Sequence, residues 1–382
     1  MVKLDGYPTV MPIESSILPH AGHSVRASSP GQEDGKVAEF VRIPYASVAI
    51  LTNSATPLPT WRQAIKNSVR DGHELCRILN VDKDLAGVSA VAAGSFPVFA
   101  PWEFIRRMTP GDPQDPLLRQ VLATSDEEQS PPGFADDPVG DDAATLSPGL
   151  IRKYRSRALL ITTGACAIHC RYCFRRHFPY EAAPKAADDW QPALEQIAAD
   201  REIDEVILSG GDPLTLVDDT LGELAERIAR IDHVQRLRIH TRLPIVIPQR
   251  VNGELLAWLR GTRLATILVV HANHLQEIDD AVAQSLTRLV DAGVPVLNQS
   301  VLLRGVNDHV HALVELSRQL VNLRVMPYYL HQLDRVRGAA HFEVPLERGQ
   351  ELIAEMRRHL PGYAVPRFVQ EIAGQESKTV LS

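Results

Sequence analysis

Cysteine is scarce in this chain: four residues in 382, three of them within the eight positions from 166 to 173. So few thiols exclude a disulfide-built secreted scaffold, and their clustering in a long chain points to metal or redox chemistry. Long apolar runs are also missing. No stretch approaches the roughly 18 residues of a membrane span. The opening MVKLDGYPTVMPIES lacks the apolar segment and small-residue cleavage site of a signal peptide. We therefore expect no membrane partner and a cytoplasmic location. Positive charge is not in excess either: net charge is -7, with acidic and basic residues well mixed. Phosphate neutralisation needs clustered Lys and Arg, so no nucleic-acid partner is expected. What the chain does have is 45% hydrophobic residues, ample for a sizeable core in one large domain or two ordinary ones. Composition says nothing of oligomeric state.

Along the chain, residues 1–45 alternate Pro, Ser, Gly and charge without a lasting period and read as a disordered extension. YASVAILTN (45–53) reads as a short strand, and Trp61 to Leu79 as a helix. Residues 80–157 mix helix and loop, with a Pro/Gly/Asp-rich stretch from Pro110 to Pro148. The pattern then changes. Strand candidates ALLITT (158–163), EVILSG (205–210), RLRIHT (236–241), ATILVVH (265–271), PVLNQSVL (295–302) and LRVMPYY (323–329) alternate with helical patterns. Those patterns lie near 190–200, 219–231, 252–260, 276–292 and 309–320, with a last one near 347–359. Such parallel strand–helix repeats predict an α/β fold, and right-handed crossovers curl them into a barrel. Six units rather than eight predict a partial (βα)6 barrel of the TIM type, with an N-terminal helical extension over 46–157. The core would run from 158 to 345 and the C-terminal helix and tail from 346 to 382. Chemistry in such barrels sits on loops at the C-terminal ends of strands.

Cys166, Cys170 and Cys173 form a C-x3-C-x2-C pattern in TTGACAIHCRYCFRR, directly after the first barrel strand. Four-iron clusters are normally held by four thiolates; three leave one iron an open position for a ligand. The alternative is zinc with His169 or His177 as fourth ligand, but zinc ribbons supply paired C-x2-4-C elements and no second pair is present. Ligand softness and the missing pair rank the cluster first. Cys76, alone in HELCRILNV, reads as a small buried apolar residue. Gly210, Gly211 and Asp212 in SGGDP suit a tight turn as well as a ligand-facing loop.

C-x3-C-x2-C with Tyr172 before the last cysteine resembles the signature of radical S-adenosylmethionine enzymes. RKYRSRALLITTGACAIHCRYCFRRHFPY, ILSGGDPL, HTRLPIVIPQR, QSVLLRGVND, PYYLHQLD and the closing SKT resemble the lysine 2,3-aminomutase family. CFRRHFPY and the early stop resemble most closely its elongation factor P β-lysylation branch. Other members continue into a Cys-bearing zinc-binding tail, so the resemblance implies no such zinc site here.

The resemblance implies a [4Fe-4S] cluster on the three cysteines, with S-adenosylmethionine on its open iron. It implies that Gly210, Gly211 and Asp212 meet the methionine end and that Gln299 lies near the adenosyl group. Lys378 would bind pyridoxal phosphate covalently, with Lys153 and Arg157 on its phosphate. Taken singly, these are plainer residues: a polar rim position, charges before a strand, and a lysine near a terminus that is ordinarily solvated. Arg175 matches the arginine that binds the substrate carboxylate, a contact its planar guanidinium suits. Asp334 and Glu371 match the acidic pair that holds the distal ammonium of L-lysine, although relatives carry Asp at the second position. The implied reaction is an isomerisation of L-lysine to β-lysine. The product would then pass to elongation factor P through a separate lysyl ligase.

Overall fold

Ten strands form one sheet in strict chain order. In this computed structural model, residues 59–182 and 187–382 are described; the expected extension 1–45 and strand 45–53 lie outside the described residues. The strands are β1 (Thr145–Ser147), β2 (Leu150–Tyr154), β3 (Arg157–Thr163), β4 (Glu205–Gly210) and β5 (Arg236–Thr241). They continue as β6 (Ala265–His271), β7 (Val296–Val301), β8 (Met326–His331), β9 (Arg367–Gln370) and β10 (Thr379–Val380). From β3 to β9 every neighbouring pair is parallel. β1–β2–β3 and β9–β10 pair antiparallel at the two ends.

The expected six strand–helix units are present, so the fold is an open, partial α/β barrel. Their helices are Gln191–Ala199, Asp218–Ala229, Gly253–Gly261, Asp280–Asp291, Val310–Asn322 and Leu346–His359. The differences from expectation are local. The last predicted strand slides to Met326–His331, because Leu323 to Val325 close the preceding helix instead: the Val325 N–H bonds the Leu320 carbonyl at 2.9 Å. The helix expected over 61–79 is two, Trp61–Lys66 and Gly72–Leu79. Asp71 caps the second by accepting from the Glu74 N–H at 2.7 Å, and Val69 pairs in extended form with Ala100. A seventh parallel strand, β9, brings the tail back beside β8.

Alternation along the strands places the site. Leu208, Ile239, Leu268 and Val270 are fully buried in one core with Leu221, Leu224, Ile228 and Leu286 from the covering helices. Each such side chain contributes about 1.5–3 kcal/mol by leaving water. The opposite face turns inward and is polar near the carboxyl ends: Ser209, Arg238, His240, Gln299, Tyr329 and His331 line a common cavity.

Candidate active site

The loop after β3 carries the three clustered cysteines, and it is fastened from several sides. Between Cys170 and Cys173, Arg171 is fully buried and donates to both oxygens of Glu127, at 2.8 and 2.6 Å. Arg176 reaches the same carboxylate at 2.8 Å. The Arg171 N–H bonds the Gln120 carbonyl at 2.9 Å, and the His169 N–H bonds that of Phe99 at 2.9 Å. The N-terminal region thus holds the cysteine loop against the barrel.

From the other side the loop meets SGGDP. The Gly211 N–H donates to the Thr163 carbonyl at 2.8 Å and the Asp212 N–H to that of Ala165 at 2.7 Å. Gly210 has φ of 126°, and a Cβ on Gly210 or Gly211 would collide with the Thr163 or Ala165 carbonyl. Glycine is what permits this approach. Asp212 accepts from the Thr241 hydroxyl at 2.7 Å and from the Arg242, Leu214 and Leu243 N–H groups at 2.7, 3.0 and 3.2 Å. The Asp212 carboxylate therefore holds the turn after β5, while the Gly211 and Asp212 N–H groups hold the start of the cysteine loop.

The three thiols are half-buried at the cavity wall. Burial, reinforced by the neighbouring cysteines, pushes the Cys166 thiol well up and the Cys173 thiol to about 11. Such thiols stay protonated at neutral pH until a metal displaces the proton. A single zinc ion would draw its ligands to about 2.3 Å. Among the described residues no three His, Cys, Asp or Glu side chains close around one ion. His169 Nδ1 lies 2.8 Å from the Pro97 carbonyl and its ring stacks on Phe96 at 4.8 Å. His177 Nε2 lies 3.2 Å from the Arg337 carbonyl. Both histidines are thus engaged on neighbouring carbonyls, and three soft thiols lining one cavity fit a cluster.

A cavity of about 380 Å³ opens at the carboxyl ends of the strands, and every candidate cluster, cofactor and substrate residue named from the sequence lines it, whereas His177 does not. Lys378, just before β10, pairs with Glu371, just after β9. Glu371 also accepts from the Tyr154 hydroxyl at 2.7 Å and lies 3.8 Å from Lys153. Burial raises the Glu371 carboxyl, but Lys378 and the Tyr154 hydrogen bond outweigh it and hold it below the usual range. Asp334 is different: it makes no side-chain hydrogen bond among the described residues. Burial pushes its carboxyl up to about 7 against the pull of Lys378.

The two basic positions on β2 and β3 also differ. Lys153 is engaged by Asp141 at 2.6 Å and by the Val139 carbonyl at 2.8 Å. Arg157 has no acidic partner among the described residues and lies over the Tyr154 ring at 4.3 Å. Arg175 donates to Asp141 at 2.7 Å and to the Ser209 hydroxyl at 3.1 Å. Gln299, half-buried on β7, makes no side-chain hydrogen bond among the described residues.

Residues 160–316 match the Radical SAM superfamily. The L-lysine 2,3-aminomutase of Escherichia coli is 46% identical over 87% of this chain and 97% of its own length. The chain belongs to the lysine 2,3-aminomutase family. The enzyme of that name from Haemophilus influenzae is 44% identical over 84% of this chain and 95% of its own. That from Clostridium subterminale is 36% identical over 84% of this chain and 77% of its own. Membership makes the protein a radical S-adenosylmethionine isomerase whose cofactors are a [4Fe-4S] cluster, S-adenosylmethionine and pyridoxal phosphate. The residues suit that set: three soft thiols, a cation without an acidic partner at Arg157, and an amine inside the cavity at Lys378.

Four residues of this site went unread in the sequence. Asp141 sits in an acidic loop that reads only as a turn, yet it joins Lys153 to Arg175. Tyr154 and Glu127 carry no local pattern. Arg242 lies inside HTRLP, a motif visible in the sequence without a role attached to it.

Proposed function

We propose that this enzyme isomerises L-lysine to β-lysine, with the chemistry in residues 158–345 and with Lys378 and Glu371 supplied by the segment 346–382. The observation that carries this reading is the acidic pair Asp334 and Glu371 set in the cavity wall with Lys378. An acidic pair suits the ε-ammonium of lysine and repels the distal carboxylate of glutamate. Arg175, on the cysteine side, suits the α-carboxylate.

When bound, the cluster and S-adenosylmethionine supply a carbon-centred radical, and pyridoxal phosphate supplies a π system that lets the amino group move. The chain's own groups bind and orient. Cys166, Cys170 and Cys173 hold the cluster. Arg157 would take the phosphate of the second cofactor, with Lys153 beside it on the neighbouring strand. Lys378, now paired with Glu371, would hold that cofactor through its ε-amine. Glu371, aimed by the Tyr154 hydroxyl, would share the substrate ammonium with Asp334. Gly210 and Gly211 bring the SGGDP turn against the cysteine loop, and Gln299 lines the cavity with an amide that has no hydrogen-bond partner among the described residues, suited to the adenosyl end.

The test is anaerobic reconstitution with iron, sulfide, both organic cofactors and dithionite, followed by product analysis with lysine, ornithine and glutamate. β-Lysine from lysine alone is expected; rearrangement of another amino acid without lysine turnover would overturn the assignment. We further propose that the product serves modification of elongation factor P, a reading supported by the CFRRHFPY segment. Mass spectrometry of that factor from cells lacking this gene should then show loss of the modification.

A further inference from the structure

Arg242 stands where β5 ends and is buried at 6% exposure. Its Nη1 donates to Cys170 Sγ at 2.8 Å. Its Nη2 donates to Glu277 at 2.9 Å and to the Gln120 side-chain oxygen at 2.7 Å. The guanidinium lies over the rings of Phe104 and Tyr172, 5.3 and 5.8 Å from their centroids. Glu277 is fully buried and also accepts from the Asn273 and His274 N–H groups at 2.9 and 3.1 Å. Asp212 fixes the Arg242 backbone N–H from below. One end of a rigidly held cation therefore points at a cysteine sulfur, with its counter-charge on the far side.

We propose that Arg242 sets the redox poise of the cluster by donating from Nη1 to the Cys170 sulfur. The proposal rests on the reading of the three cysteines as cluster ligands. Loading the cluster takes one electron from a low-potential one-electron donor; no bond forms or breaks and no proton moves. The added negative charge spreads onto the sulfurs, so a charge-assisted donor there stabilises the reduced form more than the oxidised one. Low local dielectric strengthens the effect. Arg242 is a tuning residue acting through Cys170, and it touches neither substrate nor S-adenosylmethionine in this scheme. Hydrogen bonds to cluster sulfurs are one of the levers by which a protein sets such potentials.

The experiment is an EPR-monitored redox titration of the reconstituted enzyme and of Arg242→Gln and Arg242→Lys, with iron and sulfide content measured on each. At wild-type iron content, Arg242→Gln should shift the reduction equilibrium at least tenfold toward the oxidised cluster. For one electron that is about 59 mV to more negative potential. Arg242→Lys, which keeps the charge, should fall between. An unchanged midpoint in Arg242→Gln, with or without loss of iron, means that Arg242 only holds the loops together, and overturns the proposal. Should Arg242→Gln hold no iron at all, the unmodified enzyme labelled with 15N-arginine decides. Hyperfine coupling of a guanidinium nitrogen to the reduced cluster supports the proposal, and no coupling overturns it. A wild-type protein that binds no cluster sinks the cysteine assignment itself, by its iron content rather than its potential.

Discussion

The two chemical ends of the cavity are built in opposite ways. At the cysteine end, the Arg171 and Glu127 side chains are only 0% and 1% exposed, and backbone bonds tie the loop to Gln120, Phe99 and SGGDP. At the lysine end, residues 372–377 are all exposed and β10 is two residues long. Lys378 is held there mainly by one ion pair with Glu371. A radical source must not wander, whereas an amine that takes up and releases a cofactor must move. The difference is the one those two tasks require, and it can be broken from either side.

The largest effect on activity is expected at the loose end. Lys378→Ala should abolish both turnover and the visible absorbance that pyridoxal phosphate gives when bound to an amine of the protein. Stability should fall by about 1.5–3 kcal/mol, less than at the tight end, because the variant takes one charged partner from Glu371 but leaves it Tyr154 and Lys153. A surviving band in the spectrum would move cofactor attachment to another lysine.

At the tight end the same kind of change should strike stability harder. Glu127→Ala leaves Arg171 and Arg176 as buried, uncompensated charges, a loss of about 3–5 kcal/mol. Thermal unfolding of the cluster-free protein measures it, and reconstituted iron should fall in parallel. A stable variant with full iron would show that backbone bonds alone hold the cysteine loop.

How much of this was legible follows from sequence distance. β5 and β6 match the runs expected for them residue for residue, because a β-branched stretch bounded by helical patterns is a local signal. β9 and β10, with four and two residues, are too short to show a period; they exist because the tail finds an edge beside β8. The cysteines announced themselves by spacing. Glu127 did not, since its partner Arg171 lies 44 positions away, and Asp141 is 34 positions from Arg175. A buried pair is legible only once the fold has brought its halves together. SGGDP shows the same limit: its glycines and Asp212 were visible, but their close packing on the cysteine loop and on the turn after β5 was not.

Within the lysine end, the two acids should differ in pH behaviour. The Asp334 carboxyl, raised to about 7 by burial, is protonated below that pH in the free enzyme. Only its ionised form attracts an ammonium, so KM for lysine should rise as pH falls through about 7. Asp334→Asn should flatten that limb and lower kcat/KM by about 10–100-fold, the worth of one charged hydrogen bond at roughly 1.5–3 kcal/mol. A limb that persists in the Asn variant would belong to another group.

The smallest effect tests how the tight and loose ends are joined. Tyr154, on β2 in the rigid part of the sheet, donates to Glu371 at 2.7 Å and is the neutral contact that aims this acid. Tyr154→Phe keeps the ring under Arg157 and removes only the hydroxyl. A hydrogen bond of this kind is worth about 0.5–1.5 kcal/mol, so KM for lysine should rise about 2–10-fold with kcat nearly unchanged. The direction matters more than the size. If Glu371 were aimed by Lys378 alone, the variant would bind lysine like the parent, and the substrate end of the cavity would be as loose as the segment that carries it.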